Sequence, residues 1–206
     1  NLYHEKMKAL IAGWRSVWNK PDLSFYYVQL APFKYRGDPK RLPGIWQAQL
    51  DTLKVPNTGM AVTTDITTLG NIHPPNKQDV GKRLALWALA KNYGQDKLVY
   101  SGPIFEKANH SDGDKKKSIT VHFKKLGGQG HGLKTTDDKK PSHFEVAGKD
   151  GVWHPAEAII VYGDHLIVKS EMVEEPLNVR FGWNQLATPN LVNREGLPAS
   201  PFTSAK

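Results

Sequence analysis

The sequence predicts an α/β fold that starts as an incomplete doubly wound sheet and continues as a β-sandwich-like unit. Helical and strand patterns alternate over residues 1–95, as they do in parallel sheets covered by helices. Over residues 96–185 the pattern changes to short strands with alternating apolar and polar residues, which is typical of an antiparallel sandwich. Residues 186–206 are irregular and rich in proline, yet too apolar for a free end. We therefore expect this tail to pack back on the α/β domain.

Three helices and two strands are expected in the first unit. Apolar side chains recur at helical spacing over residues 2–18, and further helices are predicted over 42–53 and 77–93. Continuous apolar runs over 25–31 and 59–66 predict strands that are covered on both faces. The second run becomes polar at its end, which is where α/β sheets carry their chemistry.

This α/β unit is predicted to be incomplete. Two strands cannot bury the faces of three helices, and no strand leads into the first helix. The remaining strands must come from a segment upstream in the gene or from a separate chain. We expect the chain on its own to expose a large apolar face.

The second unit is predicted to contain five to seven antiparallel strands. Ile119, Val121 and Phe123 alternate with polar neighbours, which is the pattern of a strand with one buried face. The dipeptide Gly163-Asp164 separates two apolar runs and predicts a hairpin with a two-residue turn.

Composition excludes several classes of function. The chain has 206 residues, a formal charge of +8 and no cysteine, which excludes disulfides and thiolate zinc sites. No apolar run approaches the roughly 18 residues that cross a bilayer, so no membrane partner is expected. Much of the charge falls in one glycine-rich stretch without a recognition-helix or zinc-finger pattern, so no specific nucleic-acid partner is expected. The lysines of this stretch are Lys115, Lys116, Lys117, Lys124, Lys125, Lys134, Lys139 and Lys140.

His73 is the main candidate for chemistry. It lies in a polar segment where a predicted strand ends and a helix begins, followed by Pro74, Pro75 and the helix-capping residue Asn76. A histidine can take a proton from a serine hydroxyl and return it to a leaving alcohol, if another group holds the ring. By position alone, a surface histidine without such a role is the more common case.

The histidines of the β region do not predict a metal site. They are irregularly spaced and lack a His-Glu-x-x-His pattern or a carboxylate cluster. These residues are His122, His131, His143, His154 and His165.

The pattern I-H-P-x-x-K-Q is formed by His73, Pro74, Lys77 and Gln78 in front of the third predicted helix. Together with the preceding string NTGMAVTTDI, it resembles the sialate O-acetylesterase family of SGNH-type serine carbohydrate esterases. The strings VQLAPF, YSGP, VRFGW and NLVNREGLPASPF extend the resemblance over nearly the whole chain.

The resemblance implies a flavodoxin-like SGNH hydrolase fold for the α/β domain and a general-base role for His73. The family's serine nucleophile lies near the start of the catalytic domain in a Gly-x-Ser block, and no serine of this chain has that context. The chain would therefore be the C-terminal part of such an enzyme, inactive alone. Its partner would be the upstream half of the same protein, which carries the serine.

The group that holds the His73 ring has two candidates. Many SGNH hydrolases place an aspartate three residues before the histidine, but this chain has Gly70 there. Asp65, at the end of the predicted strand, is one candidate. A main-chain carbonyl, such as that of Gly70 or Asn71, is the other.

The implied reaction is the release of acetate from an O-acetylated sugar, most directly O-acetyl sialic acid, without a cofactor. Similar esterases deacetylate xylan or other polysaccharides, and the sequence does not separate these substrates. A non-catalytic carbohydrate-binding or interaction module is an interpretation of another class, and the absent serine favours it for the chain alone. We expect a secreted or periplasmic location.

Overall fold

A computed structural model of the chain describes residues 2–110, 117–124 and 132–205. Its helices are α1 (Leu2–Val17), α2 (Arg41–Thr52) and α3 (Lys77–Asn92). Its strands are β1 (Phe25–Val28), β2 (Thr58–Ala61), β3 (Ile104–His110), β4 (Ile119–Lys124), β5 (Leu133–Thr135), β6 (Phe144–Ala147), β7 (Trp153–Val161), β8 (His165–Lys169), β9 (Asn178–Phe181), β10 (Leu191–Asn193) and β11 (Phe202–Thr203). No helix in the described ranges is long and apolar enough to cross a membrane. Lys115, Lys116, Lys125 and His131 lie outside the described residues.

The predicted order helix, strand, helix, strand, helix is confirmed in the first unit. Strands β1 and β2 pair in parallel, from Phe25 opposite Thr58 to Val28 opposite Ala61. Helices α1 and α2 contact each other, and α3 contacts both strands. The described residues of this unit form only a two-stranded parallel sheet. The flavodoxin-like strand order therefore stays a prediction.

Both parallel strands end earlier than the sequence predicts. Beyond Val28 the backbone of β1 bonds to the buried side chain of Gln49, whose amide donates to the Val28 carbonyl at 3.1 Å and accepts from the Leu30 N–H at 3.0 Å. Beyond β2, the hydroxyl of Thr63 donates to the Gln29 carbonyl at 3.1 Å. Side chains thus take over the backbone bonding where a strand would otherwise continue.

The second unit contains one large antiparallel sheet, where the sequence predicted a β-sandwich-like unit. Seven strands run in the order β11-β9-β6-β7-β8-β4-β3. The sheet curls until its two edge strands meet, because the ring of Phe105 in β3 stacks on that of Phe202 in β11 at 4.3 Å. The result is a nearly closed, barrel-like sheet around one core. The sandwich expectation was wrong because strand alternation shows one buried face but not whether that face meets a second sheet.

The predicted hairpin is present, but its turn has three residues. Val161 pairs with His165, so Tyr162, Gly163 and Asp164 form the connection between β7 and β8. Tyr162 and Gly163 both adopt left-handed conformations, with φ of 49° and 75°. The two-residue prediction was wrong because a tyrosine rarely takes this conformation and the sequence did not indicate it.

The tail, residues 186–206, contacts both units. Strand β10 pairs with β5, and β11 forms the edge of the large sheet next to β9. The Ser200 hydroxyl also accepts a hydrogen bond from the buried side chain of Gln29, just beyond β1, at 2.9 Å. The unit boundaries at residues 95 and 185 stay predictions.

One flank of α1 is apolar and exposed. Trp14 is 47% exposed and Trp18 is 60% exposed, and Leu10 and Val17 lie on the same side of the helix. Val28 of β1 is also exposed. These exposed side chains agree with the expectation of an exposed apolar face, and its covering by an upstream segment stays a prediction.

Replacing Trp14 and Trp18 together by glutamine should reduce the binding of an apolar fluorescent dye to the isolated chain. Both residues are about half exposed and lie on the surface, so the free energy of unfolding should change by about 0.5 kcal/mol or less. Dye fluorescence and thermal unfolding measure the two effects. Tyr162→Gln, at an exposed aromatic residue in the β7–β8 turn, is the matched control. A wild-type chain that binds no dye would contradict the exposed flank.

Replacing Phe202 by alanine should destabilise the protein by about 3–5 kcal/mol, the usual cost of emptying a large buried site. The Phe202 ring is fully buried and contacts the rings of Phe105, Phe144 and Phe181. Thermal unfolding measures the loss, with the exposed Met172→Ala as control.

Deleting the residues after position 188 should also lower the melting temperature, because it removes β10 and β11. An unchanged melting temperature would show that the tail is not part of the folded core.

Candidate active site

His73 lies at the edge of the parallel sheet where both strands end. Loop 62–76 joins β2 to α3, and the loop after β1 lies beside it. The hydroxyl of Thr67 donates to the Pro32 carbonyl at 2.8 Å, and the Lys34 N–H donates to the Leu69 carbonyl at 3.2 Å. Ligand sites of open α/β sheets lie at this carboxyl edge of the strands. The sequence therefore placed His73 correctly at the strand-to-helix transition.

The position of α3 depends on a close contact with β2. Gly59 has no side chain, and a Cβ added there would lie 2.5 Å from the ring of Trp87. The indole N–H of Trp87 donates to the Met60 carbonyl at 3.0 Å, and its ring lies 4.5 Å from that of Tyr100. The helix is thereby fixed directly on the strand. Its first residue, and so the end of the His73 loop, is fixed with it.

The predicted cap of α3 is present. The Asn76 side chain accepts from the Asp79 N–H at 3.1 Å and donates to the Asp79 carboxylate at 2.8 Å. This hydrogen bond from Asn76, together with Lys82, holds the pKa of the Asp79 carboxyl below its usual range. The helix therefore starts in a defined place, with its N-cap Asn76 three residues after His73.

The backbone of His73 is held by its own loop while its ring is exposed. The His73 N–H donates to the side chain of Asn71 at 2.9 Å, and the Asn71 N–H donates to the Thr68 carbonyl at 2.8 Å. Across the described residues, no hydrogen bond or ion pair reaches the imidazole, whether from Asp65 or from the carbonyls of Gly70 and Asn71. Asn71 thus contacts His73 through its side chain, and the group that orients the ring stays a prediction.

Asp65 is paired with Arg83 of α3. The guanidinium donates two parallel hydrogen bonds to the carboxylate, Nη1 to Oδ1 at 2.7 Å and Nη2 to Oδ2 at 2.6 Å. Nη1 also donates to the Val62 carbonyl at 2.6 Å. The Arg83 side chain is 12% exposed and that of Asp65 26%, so the pair is largely shielded from solvent. We call this pair of parallel hydrogen bonds the Asp65–Arg83 fork. It joins the end of β2 to α3 across the base of the His73 loop.

Sequence reasoning missed Arg83. It lies on α3 beside the apolar residues Val80, Leu84 and Trp87, where a charged residue needs a partner. That position was a usable signal. The sequence did not indicate that Asp65 is the partner of Arg83, because the two residues are distant in sequence and only the packing of α3 brings them together.

The described residues contain no group of three or more His, Asp or Glu side chains placed to hold a metal ion. His122 and His165, from the paired strands β4 and β8, stack with ring centroids 5.6 Å apart. Burial is the main cause that lowers the pKa of His122. The pair belongs to the β unit and is not part of the loop that carries His73.

Comparison with known proteins identifies relatives over part or all of the chain. No family model matches. The sialate O-acetylesterase of Rattus norvegicus is 34% identical over 125 residues, covering 52% of this chain and 23% of that protein. The human sialate O-acetylesterase is also 34% identical over 125 residues, covering 52% of this chain and 24% of that protein.

A solved structure matches almost the whole chain. It is the crystal structure of a carbohydrate acetylesterase from Xanthomonas citri, with a TM-score of 0.90 and 39% sequence identity. The match covers 99% of this chain and 46% of that chain, so this chain spans less than half the length of its structural neighbour. This agreement in sequence and fold, with the similarity to the sialate O-acetylesterases, supports a place for the chain in a sialate O-acetylesterase-like family.

Proposed function

We propose that this chain forms the histidine-bearing part of a carbohydrate esterase that releases acetate from O-acetylated sugars. The observation that carries the proposal is the position of His73 at the carboxyl edge of β1 and β2, with a fixed backbone and an accessible ring. The likeness to a carbohydrate acetylesterase over 99% of the chain supports the same reaction class.

The chemistry assigned to this chain is proton transfer. A serine hydroxyl from a segment outside the chain attacks the acetyl carbonyl, and His73 accepts its proton. His73 then returns the proton to the departing sugar hydroxyl, which leaves an acetyl-serine. Water, deprotonated by His73, attacks this ester, and acetate leaves as the serine regains its proton. Donors that stabilise the oxyanion would come from the same outside segment as the serine.

The upstream segment is also the proposed partner of the apolar flank on α1. That flank, together with the unpaired edge of β1, is what a further strand and its helix would cover. The chain alone is proposed to be inactive, since none of its serines has the sequence context of the family's nucleophile.

O-acetyl sialic acid is the proposed substrate, with acetylated xylan or another polysaccharide as the alternative. The relatives named sialate O-acetylesterase support the first, and the broader name of the Xanthomonas citri enzyme is compatible with either. A secreted or periplasmic location is proposed with both. Rates of acetate release from the two substrates by the complete enzyme separate them.

Arg83 is proposed to be a positioning residue that acts on His73 through Asp65. The fork spans the base of loop 62–76, so its loss would free the strand end from α3. A loop that shifts by about 1 Å displaces the imidazole from the serine and slows the reaction about 100-fold. In this proposal Asp65 holds loop 62–76 against α3, and another group orients the ring of His73.

His73→Ala should lower kcat of the complete enzyme on a chromogenic acetyl ester by about 10⁴-fold or more, since the serine loses its base. The substrate affinity should change little. His154→Ala, at a histidine of strand β7, is the matched control and should keep the wild-type rate. Wild-type rates in His73→Ala would end its assignment as general base.

Asp65→Asn and Arg83→Met should each lower kcat about 10- to 100-fold, with KM nearly unchanged, because both break the same fork. The double variant should be no slower than Arg83→Met alone, since Arg83→Met already removes both the fork and the hydrogen bond to the Val62 carbonyl. Lys82→Met, at the neighbouring exposed position, is the control. A loss in Asp65→Asn as large as in His73→Ala, with Arg83→Met near wild type, would show instead that Asp65 orients the imidazole directly.

A further inference from the structure

The end of the α/β unit opposite His73 also carries an organised polar surface. Strands β1 and β2 run toward the His73 edge, and α3 starts there and returns. The 16 residues of α3 span about 24 Å at 1.5 Å per residue, so its last turn is remote from His73. At this far end, α3 faces turn 19–24, which joins α1 to β1.

Two adjoining cavities lie between these elements. One has a volume of about 680 Å³ and lies between turn 19–24 and the last turn of α3, where Tyr93 lines it. The other has a volume of about 300 Å³ and lies between the starts of β1 and β2. Asp22, Ser24 and Asn92 line both cavities, so the two form one cleft. We refer to it as the far-end cleft.

The walls of the far-end cleft are held in place by hydrogen bonds. The Asn92 side chain donates to the Ser24 hydroxyl at 2.8 Å and accepts from the hydroxyl of Tyr26. Asn57, in a left-handed conformation with φ of 57°, donates to the Asp22 carbonyl at 3.2 Å. Arg15 of α1 donates to the Leu23 carbonyl at 3.0 Å. A ligand would therefore meet a preorganised surface, which lowers the entropic cost of binding.

The residues that line the cleft offer hydrogen-bond acceptors, hydrogen-bond donors and an aromatic ring. Among the described contacts, the Asp22 carboxylate and the Lys20 ammonium have no partner, so an acceptor and a donor are both available. Lys91 lines the smaller cavity and lies over the ring of Tyr100 at 4.5 Å. Tyr93, which is 74% exposed, supplies the aromatic ring.

This combination fits a sugar ring better than other ligands. Sugars offer hydroxyl groups that both donate and accept, and apolar C–H faces that pack on an exposed aromatic ring. The cleft carries charges of both signs, Asp22 with Lys20 and Lys91, and so lacks the uniformly positive surface that a polyanion such as a nucleic acid requires. An apolar ligand would leave the polar walls unpaired.

We infer that the far-end cleft is a second, non-catalytic carbohydrate-binding site. Its ligand is a pyranose unit of an oligosaccharide or polysaccharide, which the protein holds while an acetyl group elsewhere on the same chain reaches His73. The site affects affinity for polymeric substrates and leaves the chemistry on small esters unchanged.

The test uses the complete enzyme and the variants Tyr93→Ala, Asp22→Ala and Lys20→Ala. Xylohexaose and sialyllactose serve as probes in calorimetric titrations, so the two sugar sources give separate results. At least one probe should bind the wild type, and each variant should bind that probe about tenfold more weakly. Tyr162→Ala, at a tyrosine that is 97% exposed in the β7–β8 turn, should bind like the wild type.

Two rate measurements complete the test. On a chromogenic acetyl ester all variants should match the wild type, while KM for acetylated xylan or an acetylated sialoside should rise several-fold in the cleft variants. Absence of binding by the wild type, or equal binding by Tyr93→Ala and Tyr162→Ala, would overturn the inference. An enzyme inactive on the small ester but with Tyr93-dependent sugar binding would overturn the esterase proposal and leave this site standing.

Discussion

The contact between Gly59 and Trp87 is the constraint on which the candidate site depends. A parallel pair of strands is stable only when both faces are covered, and α3 covers one face by packing its tryptophan ring where β2 has no side chain. This contact sets the distance between strand and helix. Two further contacts depend on this distance. The Asp65–Arg83 fork holds the base of the His73 loop, and the Asn76 cap holds its end. A larger residue at position 59 would move the helix and both of these contacts together.

The helices and strands of the first unit were predictable because their signals are local. Apolar spacing, proline, and the Asn76 cap act within a few residues, and the structure follows them. The strand ends were not predictable, since Gln49 and Thr63 replace strand pairing only after the chain has folded. The curl of the large sheet could not be predicted from the sequence for the same reason. It depends on the contact between Phe105 and Phe202, which are far apart in sequence.

The candidate site was also predictable only in part. His73 could be found because a polar loop between a strand and a helix is visible in the sequence, and the family resemblance then singled it out. Arg83 could not be assigned, because its role comes from a partner that only the packing of α3 brings near. Asp65 was one of two sequence candidates for orienting the His73 ring, and its described contacts are with Arg83. A carboxylate in the same loop as a histidine can instead pair with an arginine from another element.

The bond between Gln29 and Ser200 joins the first parallel strand to a residue near the far end of the sequence. During synthesis, the residues around position 29 leave the ribosome long before those around position 200. The side chain of Gln29 therefore lacks its hydrogen bond to Ser200 until the end of the chain has been made. Until then, the sheet edge that carries His73 lacks its contact with the tail. Contacts of this range are formed late and slowly in folding. The edge that carries His73 should therefore reach its final structure only after the β unit and the tail have been synthesised.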